Sequence, residues 1–365
     1  MATLKDVFTA RAVAAYFNRY NETIALPPYL GRSFFGTQKK IGLDLSWIKG
    51  SKSMPVALKG AAFDANAPIR DSIGFTKIDN EMPFFREAYK VTEKEQQDYD
   101  TFINASNTAL ANQVLQEIIK KPIDLINAAD IVPERMIWQL LAPTDGIPRI
   151  AVTVADGSSY YIDYTGDNGV AYKAKNYTAI TGSTDVWSAS ATATPIADLV
   201  DFTENYESNY GVKLGTIIMN QATWKNLVKA EDTKLQVLGS VAYSAGVAIK
   251  DREVKEFLLS NYGLEVLVYN KMYSDGTNTS TFIPDGIVTG IATGATTLGS
   301  VFYGTTPEER SGDITKGNLA LVNTGVSVYT YTEEHPIISN CVVSEIVLPS
   351  YEGMDNVAVL NTEAA

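Results

Sequence analysis

The stretch NTALANQVLQEIIKKPIDLINAADIVPERMIWQLLA, residues 107–142, decides the fold. Leu110, Val114 and Ile118 recur every four positions, with Leu115 and Ile119 beside them. That spacing lays one apolar stripe along a helix. Met136, Ile137, Leu140 and Leu141 resume the stripe after Pro122 and Pro133. A proline inside a helix removes a backbone donor and crowds the preceding turn. The reading is therefore one long helix, broken or kinked at those positions. Asn107 is placed to cap it, and Pro143 and Gly146 to end it. Upstream, Glu93, Glu95 and the acidic stretch Asp98–Asp100 suit a helix start, where the peptide dipole favours negative charge. Helical structure is expected over 93–142.

Residues 33–90, before this helix, show no helical period. Ile41-Gly42-Leu43-Asp44-Leu45-Ser46-Trp47-Ile48 alternates as a strand does. A long run rich in Gly, Ala, Pro, Ser and mixed charge follows. Phe75-Thr76-Lys77-Ile78 and Phe84-Phe85-Arg86-Glu87-Ala88-Tyr89 read as further extended pieces. Structureless connections beyond roughly 12–15 residues are uncommon inside compact domains, and an isolated two-stranded ribbon is marginal in water. The segment reads either as a hairpin folded on its own domain or, the favoured reading, as an arm lying on a neighbouring subunit. Residues 4–20 read as a short amphipathic helix, with Phe8, Ala12, Ala15 and Tyr16 near helical spacing. Pro27-Pro28 then breaks the chain. This is an arm with apolar anchors at Phe8, Tyr16, Phe17, Tyr29 and Leu30.

Beyond the long helix, residues 148–180 alternate. Arg149–Val154 and Tyr160–Tyr164 bracket Asp156-Gly157, a strong hairpin signal. Residues 182–194 are rich in Ser, Thr and Ala and read as a loop; 196–210 return to helix. The last third reads as α/β. Thr216–Met219 is a buried-strand pattern, Asn220 caps a helix over 221–230, and a second helix over 251–262 stops at Gly263. Leu264–Tyr269 is a strand turned back at Asp275-Gly276. Further strands are expected near 286–289, 300–303, 326–331 and 342–348.

Composition narrows the function classes. The chain of 365 residues holds one cysteine, Cys341, and one histidine, His335. A structural zinc site needs about four Cys/His ligands, and a disulfide framework needs pairs. Six positions on one strand would hold His335 and Cys341 about 20 Å apart, so no nucleophilic pair is expected. Cys341 lies in an apolar run and reads as a buried, inert thiol. Asp156, Asp163 and Asp167 lack calcium-loop spacing and read as surface hairpin acids. No catalytic, cofactor-binding or metal-binding residue is assigned. The formal charge of −12 repels a polyanion. The densest basic pairs, Lys39-Lys40 and Lys120-Lys121, read as solvated element ends, so contact with nucleic acid is expected to be weak and non-specific. Lys5, Asp6 and Arg11 interrupt any secretory signal, and no run of about 18 apolar residues suggests a membrane span. The protein is expected to be made and used in a cytoplasm, or carried out of it in a particle.

Twenty tyrosines and thirteen phenylalanines are more informative. Core packing accounts for much of this aromatic content. Tyrosine also supplies amphipathic area at interfaces. The surplus in the arm and loop, with the loop's mixed charges, points to contacts between subunits at Phe8, Tyr16, Tyr29, Phe34, Arg70, Phe75, Lys77, Phe84 and Phe85.

The order is now arm, extended loop, long helix, hairpin, helix, α/β region. This resembles the tailed-phage major capsid fold of Hong-Kong-ninety-seven type, and within it the lambda-like capsid family E. Pro55-Val56-Ala57-Leu58, Ile69-Arg70 and Phe84 are similar to that family's extended loop. Residues 215–224, Gly215 to Trp224, resemble its strand followed by a helix with Trp. Phe282-Ile283-Pro284-Asp285-Gly286 and Gly290 resemble its Phe-Leu-Pro-Asp run. Glu334-His335-Pro336, Val347-Leu348-Pro349 and Val357–Leu360 resemble its closing strands. Pro122 and Pro133 depart from the family's spine helix, and Glu93–Asp100 is acidic where members can be basic.

The resemblance implies an α+β fold with these parts: an N-terminal arm and the start of a peripheral domain over 1–48; an extended β-hairpin loop over 49–92; a peripheral domain over 93–211, with a spine helix at about 107–142 and the hairpin; an axial domain over 212–325; and C-terminal strands returning to the peripheral domain over 326–365. It implies a non-enzymatic head protein that assembles into pentamers and hexamers of an icosahedral shell around double-stranded DNA. The implied partners are itself, a scaffolding protein, a portal and decoration proteins, with no membrane and no cofactor. The implied location is the virion capsid, assembled in the bacterial host cytoplasm. Two other classes stay open: an encapsulin-like nanocompartment shell, and a carboxylate-dependent enzyme or surface-binding protein.

Overall fold

The strand Ile338–Pro349 is buried along almost its whole length, which requires partners on both of its edges. In the computed structural model, one edge pairs antiparallel with Phe84–Val91 over residues 339–346, and the other carries Gly299–Tyr303 over 347–349. That second edge also pairs with Val326–Glu333 over 338–344. Phe35–Lys39 and Gly317–Val322 complete a six-stranded sheet. The structure describes residues 8–23, 28–49, 76–104, 108–153, 159–244, 246–276, 278–311 and 317–364. The fold is a mixed α+β one. It divides into two units, the first of residues 1–45, 79–135 and 300–350, the second of 46–78, 136–299 and 351–365.

In the first unit, helices cover the sheet. Ala10–Thr23 buries Ala10, Val13 and Phe17 at helical spacing and packs on the strands Gly317–Val322 and Val326–Glu333. The Ala10 N–H donates to Thr330 Oγ1 at 3.1 Å. Of the helix expected over 4–20, residues 4–7 lie outside the described residues; the buried face holds Ala10, Val13 and Phe17, and Tyr16 is 41% exposed. Glu93–Asn104 begins with a reciprocal cap. Glu95 accepts from the Thr92 N–H at 2.8 Å, and the Glu95 N–H reaches Thr92 Oγ1 at 3.4 Å.

The long helix is observed at Thr108–Leu141, 34 residues with both prolines inside it. The expected break is absent. Pro122 and Pro133 leave the carbonyls of Ile118 and Ala129 without their helical donors, at a cost of about 3 kcal/mol each in an exposed helix. Both prolines are buried, and the stripe they belong to packs as Ile118, Ile119, Ile123 and Ile126 against Val91, Val328, Cys341 and Val343. Apolar burial offsets the lost bonds. Leu110, expected to open the stripe, is 41% exposed. The expected cap Asn107 lies outside the described residues.

The second unit is built on a five-stranded sheet in the order Tyr177–Thr181, Val357–Ala364, Ile287–Ala292, Leu214–Met219, Glu265–Val268. The outer two pairings are parallel and the inner two antiparallel. Asn220 caps Gln221–Lys229 as expected, its side chain accepting from the Thr223 N–H at 2.9 Å. The helix Asp251–Tyr262 ends at Gly263, with φ 70°. The hairpin Arg149–Thr153 with Ser159–Asp163 also forms; its expected turn at 156–157 lies outside the described residues. Gly169–Asn176 is a helix where alternation was expected over 148–180, and Glu231–Ser244 is a helix in a stretch left unassigned.

The unit borders differ from the expected domain borders at 212 and 325. Residues 300–303 join the first unit because that strand pairs with Ile338–Pro349. Residues 136–211 and 351–365 join the second because Tyr177–Thr181 and Val357–Ala364 are strands of its sheet. Tyrosines serve these cores more than composition suggested. Tyr172 donates to the Met354 carbonyl at 3.1 Å, Tyr206 to that of Asp355 at 2.9 Å, and Tyr210 to Asn176 Oδ1 at 2.6 Å.

Gly290 sits in the fully buried strand Ile287–Ala292. A Cβ there would lie 2.7 Å from Leu214 Cδ1 and 2.9 Å from Phe202 Cε1. Gly290→Ala is expected to cost about 1–3 kcal/mol by overpacking, read as a lower denaturant midpoint with an unchanged slope. An unchanged midpoint would contradict the packing.

Candidate assembly surfaces

The expected contact residues fall into three groups. Phe8 is 4% exposed and belongs to the first unit's core with Val13 and Phe17. Its surface is used within its own chain, because the helix it precedes needs an apolar anchor against the sheet. Tyr16 and Phe84 are each 41% exposed, while Tyr29, Phe34 and Phe85 are half-buried. Lys77 lies on the strand Thr76–Glu81, and Arg70 and Phe75 lie outside the described residues. The strands Asp44–Lys49 and Thr76–Glu81 pair as a separate two-stranded sheet.

Several of the partly exposed rings carry a cation. The Arg86 guanidinium stands 4.6 Å from the Phe84 ring centroid, and Arg86 Nη2 pairs with Glu308 Oε1 at 2.6 Å. Arg32 stands 5.3 Å from that of Tyr29. Lys121 lies 4.6 Å over Tyr89 and donates to its hydroxyl at 2.8 Å, while that hydroxyl donates to Glu95 Oε1 at 2.9 Å. Such contacts hold aromatic faces in fixed orientations at the surface.

The segment after the arm helix is tied down by charge. The fully buried Glu134 accepts the Gly31 N–H at 2.9 Å and the Arg32 N–H at 3.1 Å. Arg32 Nη2 donates to the Asp130 carbonyl at 2.6 Å and to Asp130 Oδ1 at 3.2 Å. Glu345 is different. It is 1% exposed, and neither carboxyl oxygen has a hydrogen-bond partner among the described residues. Burial holds its carboxyl well above the usual glutamate range, Asp130 adds to the shift, and Arg32 opposes it. Tyr303 is pushed up to about 12, chiefly by burial.

His335 is exposed in the turn between Val326–Glu333 and Ile338–Pro349. Cys341 is fully buried on the latter strand, its thiol raised to about 12 by burial. Asp163 caps its own turn, accepting from the Thr165 N–H at 2.7 Å and Oγ1 at 2.6 Å. Among the described residues no cluster of three His, Cys, Asp or Glu could hold a metal, and no helix is long and apolar enough to cross a membrane.

In the second unit the exposed apolar residues were not legible from sequence. Val170 is 84% and Leu259 55% exposed. They lie on Gly169–Asn176 and Asp251–Tyr262. An open cleft of about 490 Å³ is lined by Val237, Glu253, Glu256, Phe257, Leu259 and Ser260. Its wall Glu231–Ser244 carries a break at Gly239, φ 76°, which hides its helical period.

The fold is shared with capsid subunits. A putative capsid protein of a prophage from E. coli CFT073 superposes with a TM-score of 0.55 over 97% of this chain and 99% of that one, at 13% identity. The cyanophage A-1(L) capsid subunit does so with a TM-score of 0.50 over 92% of each chain, at 14% identity. No curated protein matches the sequence. The class is thus a phage capsid fold. The chain belongs to the phage major capsid protein E family, whose model matches residues 9–335, and it is a shell-forming protein of that kind.

Glu345 has a consequence for stability. A buried polar group without a partner costs about 1–3 kcal/mol. Because its folded value is raised, the Glu345 contribution is fully present below the ordinary glutamate range and is lost as pH rises toward the folded value. Glu345→Gln is expected to stabilise the chain at pH 7 and to flatten its pH dependence above the ordinary range. Chemical denaturation across pH measures both, and a variant less stable at pH 7 would contradict this account.

Proposed function

We propose that the chain assembles into pentamers and hexamers that close into an icosahedral shell around double-stranded DNA. The family match over residues 9–335 carries this reading. The surface chemistry supports it. A subunit of a closed shell needs contacts on several sides, and lasting assemblies bury about 2,000–5,000 Å². Cation-held aromatic residues face outward from the first unit, and exposed apolar residues from the second. The acidic chain, at −12, also suits a container that must not grip its packed genome.

Of the expected loop over 49–92, residues 84–91 are instead a strand of the first unit's own sheet, and the part up to residue 81 is read as a loop that reaches a neighbouring copy. Its support is the paired ribbon Asp44–Lys49 and Thr76–Glu81, from which residues 50–75 depart and to which they return. Tyr16, Tyr29, Phe34, Phe84 and Phe85, with Arg70, Phe75 and Lys77, are retained as contact residues; Phe8 is replaced by its core role. The axial domain is assigned to the second unit's sheet and helices from 212 to 299, and the peripheral domain to the first unit. The shell is read as non-catalytic, in keeping with the exposed His335 and the buried Cys341. Scaffolding, portal and decoration proteins and assembly in the host cytoplasm belong to the same proposal.

Expression with and without a scaffolding partner, followed by electron microscopy, tests it. Closed shells or five- and six-fold rings are expected. A strictly monomeric chain at high concentration would overturn the reading. Deleting residues 60–80 is expected to keep the circular dichroism of a folded chain while abolishing shells. Loss of all folded structure on that deletion would overturn the loop's intersubunit role.

A further inference from the structure

The second unit's sheet has Tyr177–Thr181 at one edge and Glu265–Val268 at the other. Each edge strand is entered from a helix. Gly169–Asn176 runs directly into the first, and Asp251–Tyr262 runs into the second through Gly263. Five strands at about 4.8 Å spacing set the two edges roughly 19 Å apart. The two helices therefore mark opposite sides of one unit.

Their outward chemistry is complementary. On Gly169–Asn176, Tyr172 and Asn176 are buried, the latter donating to the Val357 carbonyl at 2.7 Å. The opposite face presents Val170 with Ala174 one turn on, and the exposed Lys173 and Lys175 flank them. This is an apolar ridge between two cations. On the far side, the cleft beside Asp251–Tyr262 has an apolar floor, Val237 and Phe257, with Leu259 at its rim. Its lining holds two carboxylates, Glu253 and Glu256, and no cation. Glu253 pairs with Lys250, just before the helix, at 3.5 Å, and Glu256 with Arg252 on it at 2.7 Å. Exposed pairs of this kind contribute little, so they are readily exchanged for a partner's cations.

We propose that the Val170–Ala174 ridge of one copy seats in the cleft between Glu231–Ser244 and Asp251–Tyr262 of the next, with Lys173 and Lys175 reaching Glu253 and Glu256. The inference rests on the shell reading above and assigns the surfaces that meet within a ring. A ridge and a cleft on opposite sides of one chain make a head-to-tail contact, which closes into a ring when the rotation allows. Apolar burial at the centre supplies affinity, and the charged rim sets register.

The test uses the full chain in assembled shells. Val170→Cys and Leu259→Cys are combined and treated with a short bis-maleimide. Cys341 is fully buried and its thiol raised, which keeps it silent. A ladder of linked chains ending at five or six is expected from the double variant, and no ladder from either single variant. In parallel, Lys173→Glu with Lys175→Glu is expected to lower shell yield at least tenfold. Glu253→Lys with Glu256→Lys should do the same, and the four changes together should restore it. Normal shells with no ladder and no rescue by the fourfold swap would overturn this contact and leave the shell reading standing. A wild-type chain that forms neither rings nor shells would overturn both.

Discussion

Strand Ile338–Pro349 imposes the constraint on which the first unit depends. A strand buried on both faces must pair every backbone donor and acceptor with other strands, since an unpaired buried amide is costly. Three neighbours meet that need, Phe84–Val91 along one edge and Val326–Glu333 with Gly299–Tyr303 along the other. Its buried polar side chains need partners too. Ser344 Oγ lies 2.8 Å from Ser327 Oγ and donates to Glu308 Oε2 at 2.9 Å, while Asn340 Nδ2 donates to Glu333 Oε1 at 2.8 Å. The long helix and the arm helix then cover the apolar face through Val343 and Cys341. Asn340 Oδ1 and both Glu345 carboxyl oxygens have no hydrogen-bond partner among the described residues. Of the two side chains Glu345 is the ionisable one, so its protonation bears on stability.

The second unit solves a similar problem with a different layout. Its central strand Ile287–Ala292 is buried throughout, and close approach by Leu214 and Phe202 requires glycine at 290. The buried tyrosines of Gly169–Asn176 and Pro195–Tyr210 fix the turn at 354–357, from which the strand Val357–Ala364 enters the sheet. Helices that lead into both sheet edges leave two lateral surfaces of opposite character, an arrangement suited to repeated contact between identical copies.

Much of this was legible in the sequence where local chemistry decides the outcome. Asn220 and Gly263 act through their own side chain or backbone freedom, and both were read correctly as helix ends. The long helix was legible as well, but its prolines were not, since tertiary packing around Pro122 and Pro133 overrides their local cost. Phe17 rather than Tyr16 faces the core because the sheet takes the stripe of Ala10, Val13 and Phe17, a choice between adjacent stripes that spacing alone did not fix. The helix Gly169–Asn176 is too short to show a period, and Gly239 interrupts that of Glu231–Ser244. The proposed contact surfaces are half legible in sequence. Aromatic excess drew attention to Tyr16 and Phe84, which the fold leaves partly exposed, whereas Val170 and Leu259 are ordinary apolar residues whose exposure only the fold reveals. The unit borders follow strand pairing between distant segments, which no local pattern records.

The central claim is that this chain forms shells by associating with itself. Mass photometry of the purified chain across a concentration series tests it most directly. The account predicts a cooperative passage from monomer to five- or six-membered rings and then to particles of shell mass, with few species between. A single monomer peak at every concentration, or open-ended growth without a preferred size, would contradict it.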